Sequence, residues 1–183
     1  MRKTTVYALM CALAIVALLG AGSAFADVMI KGGIDLSGTR DIEGDEDDVE
    51  QSFSVAVEFT KPIAKLFHLG AGIEGQFPRS ADGEDGTFFF IPLYAVGRLQ
   101  LPIPLEPYAT GKIGYNFFLG NEDYLLGGKT KGGLHYGFGV GVVLFKFLVA
   151  EGSYSIYNGV QELGGSDSDT TYKAFSLKAG VKF

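Results

Sequence analysis

The feature that most constrains this chain is a hydrophobic repeat of two residues, sustained through almost everything after residue 27. A repeat of two places alternate side chains on opposite faces of an extended backbone, whereas a helix needs a repeat near 3.6. Residues 134–144 show it best: Leu134, Tyr136, Phe138, Val140, Val142 and Leu144 alternate with His135, Gly137, Gly139, Gly141 and Val143. The same pattern predicts strands over 29–36, 52–60, 67–77, 87–100, 107–118, 147–157 and 171–183, eight in all. Pro92 interrupts the fourth, and because proline cannot donate to a ladder, a bulge or kink is expected there.

Segment length separates two kinds of sheet. Soluble strands usually run to about 5 or 6 residues, while a tilted strand crossing a bilayer needs about 9 to 11. These segments are of the longer kind. Their connections alternate: Asp-, Glu- and Gly-rich stretches at 37–50, 78–86, 120–131 and 158–170, with short links at 61–66, 101–106 and 144–146 between them. Long loops on one side and tight turns on the other characterise membrane β-barrels. Phe53, Phe77, Phe88 to Phe90, Tyr115, Phe117, Tyr136 and Tyr154 fall toward the long loops, and Phe59, Phe67, Phe145, Phe147 and Phe183 toward the turns, as two aromatic girdles would.

The first 26 residues read as a leader rather than as part of the fold. Arg2 and Lys3 precede an apolar run from Tyr7 to Leu19, and Ala24 and Ala26 supply the small residues of a cleavage site before Asp27. That run is too short for a spanning helix, which needs about 20 residues. Cleavage leaves a single domain, 27–183, of about 157 residues. It also removes Cys11, the one cysteine, and takes the formal charge from −6 to about −8 through loss of Arg2 and Lys3. An acidic chain without a basic cluster is not expected to bind nucleic acid. No later segment is apolar for long enough to span as a helix, so a membrane location requires a barrel.

With an apolar outer face, the inward face carries Lys31, Asp35, Glu58, Glu74, Arg98, Lys112, Glu151 and Lys178. An eight-stranded barrel is filled by its own side chains or holds one small ligand. The expectation is an internal charge network that plugs the lumen, since buried charges must be paired. The alternative is a narrow gated path in which Arg98 or Lys112 exchanges partners among Glu58, Glu74 and Glu151. A third reading, a soluble lipocalin-like barrel, would turn the same apolar residues inward around a ligand and the charges to water.

Taken together, the leader, the eight alternating segments and the aromatic C-terminus resemble the small outer-membrane barrels of the OmpA-transmembrane and OmpX type. The resemblance covers the whole mature chain. It implies an all-β, closed, antiparallel up-and-down barrel in a bacterial outer membrane, in contact with membrane lipid and lipopolysaccharide, working as a monomer. It also implies that the last strand, through Phe175, Leu177, Ala179, Val181 and Phe183, is read by the outer-membrane assembly machinery. It supplies no activity, and it leaves the long loops to carry a structural or surface-interaction role.

Catalysis and cofactors are not expected. A lipid hydrolase would need a nucleophile, a base and an orienting carboxylate facing the lipid, and the outward face is apolar. His68 and His135 both point inward but toward opposite ends, so they cannot share a metal. Asp41, Glu43, Asp45, Glu46, Asp47, Asp48 and Glu50 crowd one long loop without the spacing of a calcium-binding loop. They read as a self-repelling, solvated tip, with weak divalent binding shared with lipopolysaccharide phosphates as the sharper alternative. The glycines at 127, 128, 132 and 133 around Lys129 and Lys131 fit no phosphate-binding loop.

Overall fold

The computed structural model describes residues 27–36, 38–42, 45–80, 86–121, 129–163 and 166–183. Ala24 and Ala26 lie outside them. Ten strands follow in chain order: β1 (Asp27–Asp35), β2 (Gly38–Ile42), β3 (Asp45–Val49), β4 (Ser52–Pro62), β5 (Phe67–Gln76), β6 (Phe88–Gln100), β7 (Pro107–Gly120), β8 (Lys129–Leu144), β9 (Leu148–Leu163) and β10 (Ser166–Lys182). β1 pairs with β4, each strand from β4 to β9 pairs with the next, and β10 returns to β1, so eight antiparallel strands close on themselves. Closure reaches the last residue. The Val28 N–H donates to the Phe183 carbonyl at 3.2 Å and the Phe183 N–H to Val28 at 2.9 Å.

Alternation decides which face meets which medium. On β8, Phe138 and Val140 are 64% and 66% exposed, while His135 between β7 and β9 is buried at 1%. The outward run from Leu134 to Leu144 climbs about 25 Å along the barrel axis, at about 3.3 Å per residue and a tilt near 40°, which matches the apolar band of a membrane barrel. The charges that a soluble barrel would show to water are inside instead: Lys31, Asp35, Glu58 and Arg98 are all fully buried. That orientation rules out the lipocalin-like reading.

Three strands outrun the band. β8 and β9 have 16 residues each and β10 has 17, and β2 and β3 continue the sheet beside β10. The result is a ridge in the order β8, β9, β10, β2, β3, standing beyond the apolar band. The acidic stretch after residue 37, expected as an extended tip, is therefore largely a hairpin. β10 offers it a free edge, through Thr39 opposite Lys173 and Arg40 opposite Tyr172, and the buried Arg40 guanidinium binds Asp47 at 2.8 Å. The loop expected over 158–170 is likewise mostly strand.

Two irregularities have local causes. No bulge occurs at Pro92, because the β6–β7 register runs through it without a shift. Instead the β5–β6 ladder ends at Ile73 and Leu93, one residue short of it. There the proline has no ladder bond to donate, and the Phe90 N–H is taken up by the Gln76 side-chain oxygen at 3.3 Å. The bulge lies on β8, where the register shifts between Gly132 and His135. Asn116 donates to the carbonyls of Gly133, Leu134 and Asn158 at 3.2, 3.3 and 2.8 Å, and Asn158 donates to Leu134 at 2.9 Å. Side-chain amides thus replace the backbone partners that the extra residue removes.

Candidate functional site

The lumen is packed in layers. In the turn-side half, Glu58 on β4 accepts ion pairs from Lys31 on β1 (2.8 Å), Lys112 on β7 (3.1 Å) and Arg98 on β6 (3.3 Å). Glu151 on β9 takes a second contact from Lys31 at 2.7 Å and from Lys112 at 3.2 Å. Three cations and two carboxylates thus form one cluster. Tyr94 donates to Glu58 at 3.1 Å and Tyr108 to Glu151 at 3.0 Å, while Arg98 also donates to Thr60 at 3.1 Å. Tyr108 can lie flat across β8 because Gly141 has no side chain; a Cβ there would meet the Tyr108 ring at 2.5 Å.

One layer up, Lys178 pairs with Glu74 at 2.6 Å. His135 stacks on Tyr157 with ring centroids 4.8 Å apart. His68 sits at the other end, 3.7 Å from Asp27, so the two histidines occupy different layers. No group of three or more potential metal ligands is present among the described residues.

Above this the filling turns aromatic. Phe90 stacks on Phe118, Tyr157 and Tyr172 at centroid distances of 4.6, 5.4 and 5.9 Å, and Phe88 meets Phe90, Phe118 and Tyr172 edge-on. Phe88 and Phe90 were expected in the outer girdle; they are fully buried inside. Their parity matches Tyr94 and Arg98, which the pattern already assigned inward, and their place at the strand end masked it. Phe89 has outward parity yet is only 7% exposed.

Arg79, bridged to Phe88 at the end of the sheet, turns its side chain back into the lumen. It donates to Asp35 at 2.9 Å and to the Tyr172 hydroxyl, with its guanidinium 4.9 Å from the Tyr172 ring centroid. Asp35 also accepts from Ser54 at 2.9 Å and Ser176 at 2.7 Å. Arg79 and Arg40 escaped sequence reading because each lies in a segment without a period, where parity assigns no face.

Of the sequence candidates, Glu58, Arg98, Lys112 and Glu151 meet in one cluster with Lys31. Glu74 and Lys178 form a second pair, and Asp35 pairs with Arg79. Phe175, Leu177, Ala179, Val181 and Phe183 lie along the outer face of β10 and its end, with Phe175 43%, Leu177 52% and Phe183 73% exposed. On the ridge beyond the apolar band, Lys131 binds Asp167 at 3.2 Å and Glu162 at 3.4 Å. The Asp167 hydrogen bond, more than any other contact, raises its pKa.

No family model matches the chain, and no curated protein sequence does. Solved structures do. The attachment invasion locus protein Ail of Yersinia pestis superposes with a TM-score of 0.53 at 15% identity, over 87% of this chain and 99% of that one. Neisserial surface protein A matches with a TM-score of 0.53 at 14% identity, over 88% and 98%. Outer membrane protein OprG from Pseudomonas aeruginosa matches with a TM-score of 0.52 at 15% identity, over 88% and 98%. At such identities the likeness speaks for the fold, and together with the closed register and the inverted polarity it shows that this chain has the fold of the small eight-stranded outer-membrane β-barrels.

Proposed function

We propose that this protein resides in a bacterial outer membrane as a closed, non-conducting anchor that holds a β-ridge out for contact at the cell surface. One observation carries the reading: fully buried side chains succeed one another along the lumen, from Lys31 and Glu58 through Tyr157 to Phe90 and Tyr172. A column of water has no room among groups packed and paired in this way. What remains available to partners is the ridge, whose side chains Asp48, Asp167 and Asp169 are exposed. Two structurally similar proteins are named for attachment or for the cell surface, which agrees with this reading. The outer face of β10, ending at Phe183, is then the segment offered to the assembly machinery.

A second reading, passage of a small molecule, has one observation in its favour. The β5–β6 ladder stops at Ile73 and Leu93, leaving a seam in the wall beside Pro92.

The test is to fold the mature chain into planar bilayers and record single-channel current, with heat-modifiable gel mobility as the control for folding. Folded protein is expected to be silent; discrete, reproducible openings would overturn the closed-anchor reading in favour of passage. Topology is checked with single cysteines, because the sole native cysteine, Cys11, precedes the expected cleavage site. On intact cells, Asp169→Cys should react with an impermeant maleimide and Lys65→Cys should not; the reverse pattern refutes the placement of the ridge.

A further inference from the structure

The three short turns form one continuous rim. The Gln100 N–H donates to the Leu66 carbonyl of the first turn at 2.9 Å, the Val143 N–H to the Leu105 carbonyl of the second at 3.2 Å, and the Lys182 N–H to the Phe147 carbonyl of the third at 2.7 Å. Turn tips in water are ordinarily polar, and a two-residue hairpin turn with both central φ angles positive favours Asn-Gly. This rim is apolar instead. Ile63, Leu101, Ile103, Leu105 and Phe145 are 43–77% exposed. Phe145 and Lys146 hold φ angles of 52° and 69° without a glycine.

Charge separates along the same axis. Lys61, Lys65 and Lys146 are exposed on the rim, and none has a carboxylate partner among the described residues. The acids nearby are already engaged: Asp27 and Glu106 both face Lys182, at 3.2 and 3.6 Å. At the opposite end the ridge is acidic, through Asp41, Asp47, Asp48, Glu50, Asp167 and Asp169.

From this combination we infer that the turn-side rim is a docking surface for anionic phospholipid headgroups of the adjoining leaflet. The inference rests on the membrane-barrel reading and adds a lipid class to it. Phe145 follows directly on Leu144, the last outward residue of the apolar band, so the tips stand at headgroup depth rather than in bulk water. Apolar tips insert there, and lysine stems lie along the apolar surface while their ammonium groups reach the phosphates. A rim that met only water would gain nothing from three unpaired lysines set among exposed aliphatic side chains.

The native chain has no tryptophan, so Ile103→Trp gives a single, selectively excited tryptophan on the middle turn, flanked on the rim by the turns that carry Lys65 and Lys146. Val140→Trp, on the outward face at mid-band, serves as the insertion control. Each folded variant is placed in vesicles containing brominated phosphatidylglycerol or brominated phosphatidylcholine. The mid-band fluorophore of Val140→Trp should be quenched equally by both lipids. The rim fluorophore of Ile103→Trp should be quenched with a preference for phosphatidylglycerol of roughly fivefold or more at low salt. That preference should vanish at high salt and when Lys61→Gln, Lys65→Gln and Lys146→Gln are added together. Equal quenching of the rim fluorophore by the two lipids, or no quenching there while the mid-band fluorophore is quenched, overturns the rim inference and leaves the barrel standing. Absence of quenching at both positions in refolded protein overturns both.

Discussion

Neutralising Glu58 tests whether the lumen is held by charge pairing. Three cations contact it within 3.3 Å, and at that separation each contact is worth about 5 kcal/mol before desolvation at an effective dielectric of about 20. Most of this is offset by removing the ions from water, so the net value of the cluster is small. The cost of unbalancing it is not. Glu58→Gln keeps the shape of the side chain but leaves Lys31, Lys112 and Arg98 with Glu151 alone. Breaking a buried pair in this way costs about 3–5 kcal/mol. Arg98→Gln leaves two cations with two carboxylates and is expected to cost about 1–2 kcal/mol, the scale of its lost hydrogen bonds. The double variant removes one charge of each sign. Its cost should therefore fall short of the sum of the single costs by about 1–3 kcal/mol. Urea unfolding of barrels folded in lipid vesicles, read as the heat-modifiable band on gels, measures all four proteins. A Glu58→Gln unfolding free energy within about 1 kcal/mol of the parent, or strict additivity in the cycle, refutes the reasoning, because the network would then not be coupled through charge.

Asn116→Ala should cost about 1–3 kcal/mol, because the carbonyls of Gly133 and Asn158 lose their side-chain donor and Leu134 keeps only Asn158 within a partly buried site. Hydrogen exchange should quicken at 130–134 before it does elsewhere on β8; uniform exchange along the strand contradicts this account. The third turn stores strain at Phe145 and Lys146, both in the left-handed region. Lys146→Gly, which leaves the Phe145 side chain in place, should stabilise the barrel by about 1 kcal/mol in the same urea assay, and an unchanged or lower midpoint contradicts the strain account.

The alternation of residues 134–144 alone tells which side chains share a face, and the same parity assigned Glu58, Arg98, Lys112 and Glu151 to one side of the wall. Parity does not say which of them touch. Lys31 stands opposite Ala56 in the ladder, yet its ion pairs go diagonally to Glu58, two residues along the same neighbouring strand, and past β10 to Glu151 on β9. Loop length was misjudged for a related reason. Ser168 and Asp169 look like loop in isolation, and become strand only because β9 continues beside them. A bulge or kink is the expectation at Pro92 because the sequence does not show on which side the ladder has already ended.

The chain's own order of residues therefore determined the period, the number of membrane strands, the turn-and-loop asymmetry and the polarity of each face, all properties of single extended segments. Tertiary structure decided the rest. Closure of β10 on β1 sets the stagger of the strands, and the stagger selects which inward charges and rings meet across the lumen. It separates the Glu58 cluster from the Phe90 stack and brings Arg79, from a segment with no pattern of its own, over Asp35. The physical reason is range: alternation is fixed by the backbone within a strand, whereas the pairing of buried charges depends on distances that exist only once the sheet has closed.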